Sequence, residues 1–471
     1  MRDIRKAVVI GAGITGLACA FRLQQLGIRA LVLEASEKAG GVISTVRRNG
    51  FLFEAGPQCP RFPKSVWTLV RGLQLEDDFV AGDSRAKRYI LRNGQLHRAP
   101  FSASGLLTTG LVGLKSKYLL LSEVFRHAYP PTGEESLAEF VRRKFGDEVL
   151  DYLVDPFIST IFFGDPRKMG MHSAFPALVE WERSRGSVVR GAIHAYKGKR
   201  AANAKTSVAE PASNGSAVAH GELHVTDALP SLGSFKQGMG ALVECLAGKM
   251  GEDLRLRARV ESVAYNSGDG ANPGWRIRLS SGGDDISADA LVMAIPAYAA
   301  AILLGQSMPK LCSLLAAIEH SPISVISSAF NRKQIRHALD GFGFMVPRRE
   351  GLRTICTFWN SSLFPTQARE GTALITSFVA GENDLSQTVH AENASILGID
   401  GAPLDQMVWK HIRALPQYNV GHAQRVKEIR EALNGLPGLF LAGNYLVGRS
   451  IGDCAETGLQ AAELLHIRSQ S

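Results

Sequence analysis

A glycine pattern placed after the first apolar run constrains the fold more than any other feature of this chain. The apolar run KAVVI (residues 6–10) leads into this pattern, and a segment with helical spacing of apolar residues follows it. In such a unit the first glycine makes the turn, the second lets backbone approach a pyrophosphate, and the third allows close packing of helix on strand. The fingerprint is Gly11, Ala12, Gly13, Ile14, Thr15 and Gly16.

An acidic residue ends the next apolar run and completes the pattern. The run RALVL (residues 29–33) ends at Glu34, followed by Ala35. Two strands joined by a helix predict a right-handed parallel crossover, and a carboxylate at this strand end accepts ribose hydroxyls and repels a 2′-phosphate. We therefore expect a dinucleotide that lacks this phosphate.

A second glycine pair distinguishes between the two common dinucleotides. Gly40 and Gly41 follow the acidic strand, and the segment GFLFEAGPQ comes shortly afterwards. Glycines there allow backbone to pass close to the extended diphosphate and ribityl chain of FAD. This extension favours FAD over NAD.

Composition and charge narrow the class of protein. Hydrophobic residues make up 45% and charged residues 21% of 471, as in ordinary globular proteins of two or three domains. The six cysteines are scattered, with no C-x-x-C pair, which predicts free thiols in a reducing compartment rather than disulfides or zinc. The net charge of +9 is spread along the chain, so we expect no nucleic-acid partner.

The N-terminal segment and the lengths of the apolar runs indicate where in the cell the protein is expected. The chain enters a strand pattern by residue 7, and no run reaches 18 apolar residues. We expect no signal peptide and no membrane span, and hence a cytoplasmic protein.

The order of patterns predicts a mixed α/β fold with a discontinuous Rossmann-like FAD-binding domain, a mixed-sheet substrate domain and a helical subdomain. The predicted segments are 1–86, 227–300 and 420–471 for the FAD-binding domain, 87–103 and 301–419 for the substrate domain, 104–196 for the helical subdomain, and 197–226 for a flexible loop.

Several longer motifs resemble the flavin-dependent protoporphyrinogen and coproporphyrinogen oxidases, nearly from end to end. These motifs are GFLFEAGP, KRYILRNGQLHRAP, DPFISTIFFGDP, SFKQGMGALVECL, GFGFMVP, and PQYNVGH followed by GLFLAGNY and GDC. The resemblance implies non-covalent FAD and the six-electron oxidation of protoporphyrinogen IX to protoporphyrin IX in haem biosynthesis. Hydride would pass to the flavin, and O2 would reoxidise it and yield hydrogen peroxide. Coproporphyrinogen III as substrate, a flavin amine oxidase and a non-catalytic flavin- or porphyrin-binding protein stay open as alternatives.

The resemblance also implies site residues by matched position. The flavin carries the chemistry, so no catalytic side chain and no metal are expected. Arg88 matches a propionate-binding arginine, and its guanidinium suits a carboxylate. The other expected substrate contacts are Thr160, Met345, Phe358 and Phe378. Besides the fingerprint, Glu34 and the glycine pair, the expected cofactor contacts are Ala35, Val42, Gly56, Pro57, Gln58, Cys59, Val260, Asn444, Arg449, Ser450 and Ile451.

Some residues of this chain differ from the family pattern, and these differences bear on which porphyrinogen would be the substrate. Thr160 stands where the family usually has glycine, and Arg449 where it usually has valine beside the flavin. Arg449 could stabilise reduced flavin, or it could point to solvent while its backbone makes the contact. Val42 stands where flavin amine oxidases typically have arginine, which speaks against that alternative.

The helical region is where the resembled family docks to membranes. Its expected apolar face, with Lys115, Lys117 and Arg126 beside it, suits the surface of an anionic membrane and equally suits a helix packed on its own core. The residues of this face are Leu106, Leu107, Leu111, Val112, Leu114, Leu119, Leu120 and Leu121. Peripheral attachment and a homodimer both stay open.

Overall fold

The computed structural model describes residues 6–126, 131–206, 232–266, 273–381 and 383–470. Its strands are β1 (Lys6–Ile10), β2 (Arg29–Leu33), β3 (Thr45–Arg48), β4 (Phe51–Glu54), β5 (Phe79–Ala81), β6 (Lys87–Arg92), β7 (Gln95–Arg98), β8 (Gly233–Phe235), β9 (Leu254–Arg255), β10 (Val260–Asn266), β11 (Gly274–Leu279), β12 (Ile286–Ala288), β13 (Ala290–Met293), β14 (His320–Asn331), β15 (Gly341–Met345), β16 (Thr354–Phe358), β17 (Thr372–Ala380), β18 (Asp405–Pro416) and β19 (Leu439–Leu441).

The helices alternate with these strands. They are α1 (Ile14–Gln25), α2 (Lys64–Gly72), α3 (Ala103–Thr108), α4 (Leu114–Ser122), α5 (Leu137–Phe145), α6 (Asp147–Val149), α7 (Asp155–Phe162), α8 (Met171–Ala174), α9 (Pro176–Arg185), α10 (Val188–Thr206), α11 (Gly240–Met250), α12 (Ala297–Leu304), α13 (Pro309–Ala316), α14 (Asn360–Leu363), α15 (Ser386–Leu397), α16 (His422–Leu433) and α17 (Ile451–Gln470).

A five-stranded parallel sheet in the order β19-β13-β1-β2-β9 gathers strands from distant parts of the chain. The predicted parallel crossover from β1 through α1 to β2 is confirmed. Apolar clusters cover both faces: α1, α2, α11 and α17 lie on one, and α12, α13 and α16 with the three-stranded sheet β10-β11-β12 lie on the other. Covering on both faces explains why these strands are continuous apolar runs.

A seven-stranded mixed sheet, in the order β18-β14-β17-β16-β15-β6-β7, forms the second layer system. β6 pairs in parallel with β15, and the other pairs are antiparallel. The mixed α/β fold is therefore confirmed, and the domain boundaries stay a prediction. Leu304, Leu311 and Leu315 pack in the same cluster as Val8 of β1, which favours a boundary beyond residue 300.

The helical region is built around its own apolar cluster and a buried charge cluster. Lys144 is 3% exposed and lies 3.3 Å from Glu123 and 2.7 Å from Glu182. Glu123 also accepts hydrogen bonds from the backbone at the start of α10. Pairing of buried charges in this way offsets the cost of removing them from water.

The prediction of a flexible loop over residues 197–226 is wrong for its first part. Helix α10 continues to Thr206, so residues 197–206 are helical rather than irregular. The alanines in this stretch favour helix, which explains the difference. The rest of the predicted loop, residues 207–226, lies outside the described residues.

Helices α1 and α17 approach closely because Gly458 has no side chain. A Cβ built at Gly458 would lie 2.2 Å from the carbonyl oxygen of Thr15, in the first turn of α1. Real side chains do not tolerate such a contact, so any larger residue would push the two helices apart.

We therefore expect Gly458→Ala to lower the free energy of unfolding by about 1–3 kcal/mol through overpacking. Gly248→Ala in α11 is the matched control, because nothing lies within 4 Å of the Cβ at that position. Urea unfolding of both variants checks this expectation. Equal stability of the two variants would contradict the close packing of α1 on α17.

Candidate flavin and substrate site

The fingerprint residues form a backbone cradle at the carboxyl end of β1. Gly11 has φ +101°, and a Cβ there would lie 2.6 Å from the carbonyl oxygen of Ala294. A Cβ at Gly16 would lie 1.9 Å from the carbonyl oxygen of Gly11. Gly13, by contrast, faces open space, with nothing within 4 Å of its Cβ position. The cradle is closed where helix meets strand and open where a ligand would approach.

The carboxylate of Glu34 is tied to this cradle. It accepts the backbone N–H of Ala12 at 2.7 Å, and its other oxygen accepts the N–H and hydroxyl of Ser36 at 2.9 and 2.6 Å. Helix α1 begins after Gly13 without a side chain capping its N-terminus. Its first N–H groups are thus available to a phosphate. This donor set fits the pyrophosphate and ribose of a dinucleotide.

The second glycine pair lies directly against the fingerprint. The N–H of Gly40 donates to the carbonyl oxygen of Ala12 at 2.8 Å, and the Cβ position of Gly41 is 3.6 Å from Cα of Gly13. A Cβ at Gly56 would lie 2.3 Å from the carbonyl oxygen of Val42. The structure thus brings three separate glycine segments to one place.

Other predicted cofactor residues hold this region together. The side-chain amide of Gln58, just past Pro57, donates to the carbonyl of Gly56 at 2.7 Å and accepts from Asn360 at 2.6 Å. The side-chain amide of Gln58 therefore uses both its nitrogen and its oxygen in hydrogen bonds within the protein. Burial raises the pKa of the Cys59 thiol to about 12, which keeps it protonated.

Val260 begins β10 close to the acidic strand. The backbone N–H of Ala258, two residues before it, donates to the carbonyl oxygen of Glu34 at 2.8 Å. Val260 itself is 9% exposed and belongs to the apolar cluster on this face of the parallel sheet.

Residues 442–450, which we call the C-terminal turn, connect β19 to α17. Ser450 and Asp453 cap the helix reciprocally: the carboxylate accepts the Ser450 N–H and hydroxyl, and the Asp453 N–H donates to that hydroxyl at 3.0 Å. The carbonyl of Asn444 accepts the hydroxyl of Tyr418. Ile451 follows as the first residue of the helix.

Arg449 does not point to solvent, so that alternative is wrong. Its guanidinium lies over the ring of Phe162 at 3.5 Å and over the ring of Tyr418 at 4.7 Å. Stacking between two aromatic faces stabilises the cation and holds it at the C-terminal turn.

Sequence reasoning missed the roles of Tyr418 and His422. Their rings stack at 4.5 Å with an interplanar angle of 11°, directly behind the C-terminal turn. Burial lowers the pKa of His422 to about 4, so this ring is neutral at physiological pH. The signal was present in the PQYNVGH motif, which indicated the family but not this contact.

The predicted substrate residues lie on one face of the seven-stranded sheet. Arg88 pairs with Gly343, Gly343 pairs with Phe358, and Cys356 pairs with both Met345 and Phe378. The hydroxyl of Thr160 on α7 adjoins the Cys356 thiol on that face. The structure therefore brings all five predicted residues together.

Four phenylalanine rings extend along this face, and we call them the aromatic row. Its members are Phe342, Phe358, Phe378 and Phe163, with neighbouring centroids 5.5, 5.6 and 5.2 Å apart. The guanidinium of Arg88 lies 4.4 Å from the ring of Phe342 at one end. Phe163 has φ +44°, a left-handed conformation that is costly for a bulky residue. Phe342 and Phe163 were not predicted, because contacts between separate elements leave no periodic signal.

Tyr418→Phe removes the hydroxyl that supports Asn444. We expect a loss of about 1 kcal/mol in unfolding free energy and several-fold weaker flavin binding, since a partly buried carbonyl loses its donor. Tyr445→Phe is the control, because the Tyr445 hydroxyl is buried without a partner among the described residues. Urea unfolding and flavin titration check both variants, and equal effects would contradict a specific role for Tyr418.

Known proteins resemble this chain in sequence over nearly its whole length. The family model of flavin-containing amine oxidoreductases matches residues 14–466. Protoporphyrinogen oxidase 2 of Arabidopsis thaliana is 30% identical, over 98% of this chain and 94% of its own length. Coproporphyrinogen III oxidase of Bacillus subtilis (strain 168) is 28% identical, over 98% of each chain.

Solved structures agree on the fold. A crystal structure from Exiguobacterium sp. 255-15 superposes with a TM-score of 0.78 at 22% identity, covering 99% of this chain and 100% of the other. Reduced UDP-galactopyranose mutase has a TM-score of 0.71 at 15% identity, with 99% and 96% covered. The chain belongs to the flavin-containing amine oxidoreductase family, in its protoporphyrinogen and coproporphyrinogen oxidase branch, and it is a flavin-dependent oxidoreductase.

Proposed function

We propose that this enzyme oxidises a porphyrinogen to the corresponding porphyrin with O2 as electron acceptor. The observation that carries the proposal is the aromatic row, which ends at Arg88 on the sheet face that α7 covers. A broad apolar wall with a cation at one edge suits a flat macrocycle that carries propionates. Six electrons leave the macrocycle in three two-electron steps, and three O2 become three H2O2.

Non-covalent FAD is the cofactor that we propose, and when bound it would accept hydride from the substrate. The chain's own residues would hold it at the fingerprint, at Glu34, at Gly40, Gly41 and Val42, and at the C-terminal turn. The described residues fit this role because the cradle at Gly13 is open and the N-terminus of α1 carries no side-chain cap.

Arg88 is the residue that we propose binds a propionate. No carboxylate of the described residues forms an ion pair with its guanidinium. Its hydrogen bonds to the carbonyls of Ser84 and Ala86 are long, at 3.4 and 3.5 Å. Burial lowers the pKa of Arg88, because its charged form loses contact with water. A guanidinium in this condition gains strongly from a carboxylate partner.

Two porphyrinogens are candidates. Protoporphyrinogen IX is the first, because the Arabidopsis relative at 30% identity is named for it. Coproporphyrinogen III is the second, because the Bacillus relative that covers 98% of its own length is named for it.

Peripheral attachment to an anionic membrane is a further part of the proposal. Leu114 is 84% exposed, Tyr118 70%, Leu121 58% and Phe125 79%, all on α4 and the turn after it, beside Lys115. Leu111 and Val112, expected at this surface, are buried instead. No helix in the described part of the chain has the length and apolarity needed to cross a bilayer.

The direct test is porphyrin fluorescence after mixing the purified, flavin-loaded enzyme with protoporphyrinogen IX or coproporphyrinogen III in air. An enzyme-free sample measures autoxidation, and peroxide is quantified alongside. We expect rapid porphyrin formation with one mole of peroxide per two electrons. Oxidation of neither substrate by an enzyme with bound flavin would refute the proposal and favour a non-catalytic role.

Arg88→Gln should raise KM about 10–100-fold and change kcat little, since a charge-assisted hydrogen bond contributes about 1.5–3 kcal/mol to ground and transition states alike. The KM of the Arg88→Lys variant should lie between that of the unaltered enzyme and that of Arg88→Gln. Lys87→Gln is the control, because Lys87 pairs with Asp340 at 2.5 Å and is the neighbouring cation on the same strand. An Arg88→Gln enzyme with unchanged KM would exclude Arg88 from substrate binding.

Membrane attachment predicts that the double variant Leu114→Ser and Phe125→Ser loses sedimentation with vesicles of anionic phospholipid. Burial of these side chains in the interface is the main driving force, and lysines add to it. Ile302→Ser is the matched control, because Ile302 is 71% exposed on α12, outside this surface. Equal vesicle binding by the unaltered enzyme, the double variant and Ile302→Ser would contradict the assignment of this surface.

A further inference from the structure

Arg449 is a half-buried cation whose hydrogen-bonding capacity is not used up. Its Nη1 donates to the carbonyl oxygen of Phe162 at 2.9 Å, and aromatic rings cover the guanidinium on two sides. Its Nη2 is buried and has no hydrogen-bond partner among the described residues. Leaving such a donor unpaired is costly, so the position calls for an explanation.

The charge of Arg449 also lacks an ion-pair partner in the part of the chain that the structure describes. No carboxylate within the described ranges forms an ion pair with it. Arg348 provides a contrast: it donates to the carbonyl of Gly164, two residues after Phe162, and it also forms an ion pair with Asp155. The C-terminal end of α7 supplies only a partial negative charge. Burial lowers the pKa of Arg449 to about 9, and the guanidinium therefore remains protonated at neutral pH.

Helix α17 needs such a cation if its N-terminus is to stabilise an anion. The carboxylate of Asp453 already occupies this end, accepting the N–H of Ser450 at 2.9 Å and its hydroxyl at 2.7 Å. A carboxylate at a helix N-terminus uses the favourable end of the dipole and repels a second negative charge. Arg449, two residues before Ile451, supplies a positive charge on the same turn.

We propose that Arg449 raises the two-electron reduction potential of the bound flavin by stabilising the negative charge on the N1–C2=O side of its reduced form. The effect is electrostatic and acts over a short distance in a largely dry environment. The inference rests on the proposed placement of the flavin at the C-terminal turn, and it does not depend on which substrate is oxidised.

Sulfite tests this charge without any porphyrinogen. The sulfur lone pair forms a bond to flavin N5, and the displaced electron pair becomes negative charge at N1–C2=O, so a nearby cation strengthens binding. We expect Arg449→Gln to weaken sulfite binding at least about tenfold. A matching tenfold change in the reduction equilibrium lowers the midpoint potential by about 30 mV for two electrons.

Two further variants separate charge from packing. Arg449→Lys keeps the charge and should stay within about threefold of the unaltered enzyme in sulfite affinity. Arg413→Gln removes an exposed arginine that lies over Tyr298 at 4.8 Å, outside the C-terminal turn, and should leave sulfite affinity and potential unchanged. Equal losses in the Lys and Gln variants, or unchanged values in the Gln variant, would overturn the proposal.

The unaltered enzyme provides a test if Arg449→Gln does not retain flavin. The absorption spectrum of its reduced flavin is followed against pH beside free reduced FAD. Retention of the anionic spectrum to lower pH than free FAD supports the proposal, and protonation at the same pH or higher overturns it. A failure to oxidise porphyrinogens, with these results intact, would refute the proposed function and leave this inference standing.

Discussion

Close contact between backbones at glycine positions is the constraint on which this site depends. Gly16 packs on the carbonyl of Gly11, Gly458 on that of Thr15, and Gly56 on that of Val42. Each contact is shorter than any side chain would permit, so helices and loops from distant segments converge on the end of β1. The convergence leaves open space at Gly13 beside the uncapped N-terminus of α1, where a pyrophosphate can bind.

Ion pairing distinguishes two structural cations of this protein from the two arginines of its candidate site. Lys144 and Arg348 are matched by carboxylates, as buried charges in a stable scaffold must be. Arg88 and Arg449 are half-buried against aromatic rings and have no such match in the described part of the chain. Cations left in this condition mark positions where an anion from outside the protein would be favourable.

Support behind the site is as important as its surface. Tyr418 holds the carbonyl of Asn444 and stacks on both His422 and Arg449, so one motif from the end of the second sheet braces the C-terminal turn. The strained backbone of Phe163 holds its ring against Phe378 at 5.2 Å. Strain of this kind is retained where neighbouring packing over-determines the conformation.

The amino-acid sequence by itself determined the β-α-β unit, the acidic strand end at Glu34 and the flavin class, because these follow from local periodicity and from glycines at short, regular spacing. Family resemblance added Arg88, Met345, Phe358 and Phe378, which the structure brings to one sheet face. Only the tertiary structure decided that Arg449 turns inward between Phe162 and Tyr418, that α10 extends to Thr206, and that Phe342 and Phe163 complete the aromatic row. Contacts between elements far apart in the chain depend on packing and charge in three dimensions, which no local pattern encodes.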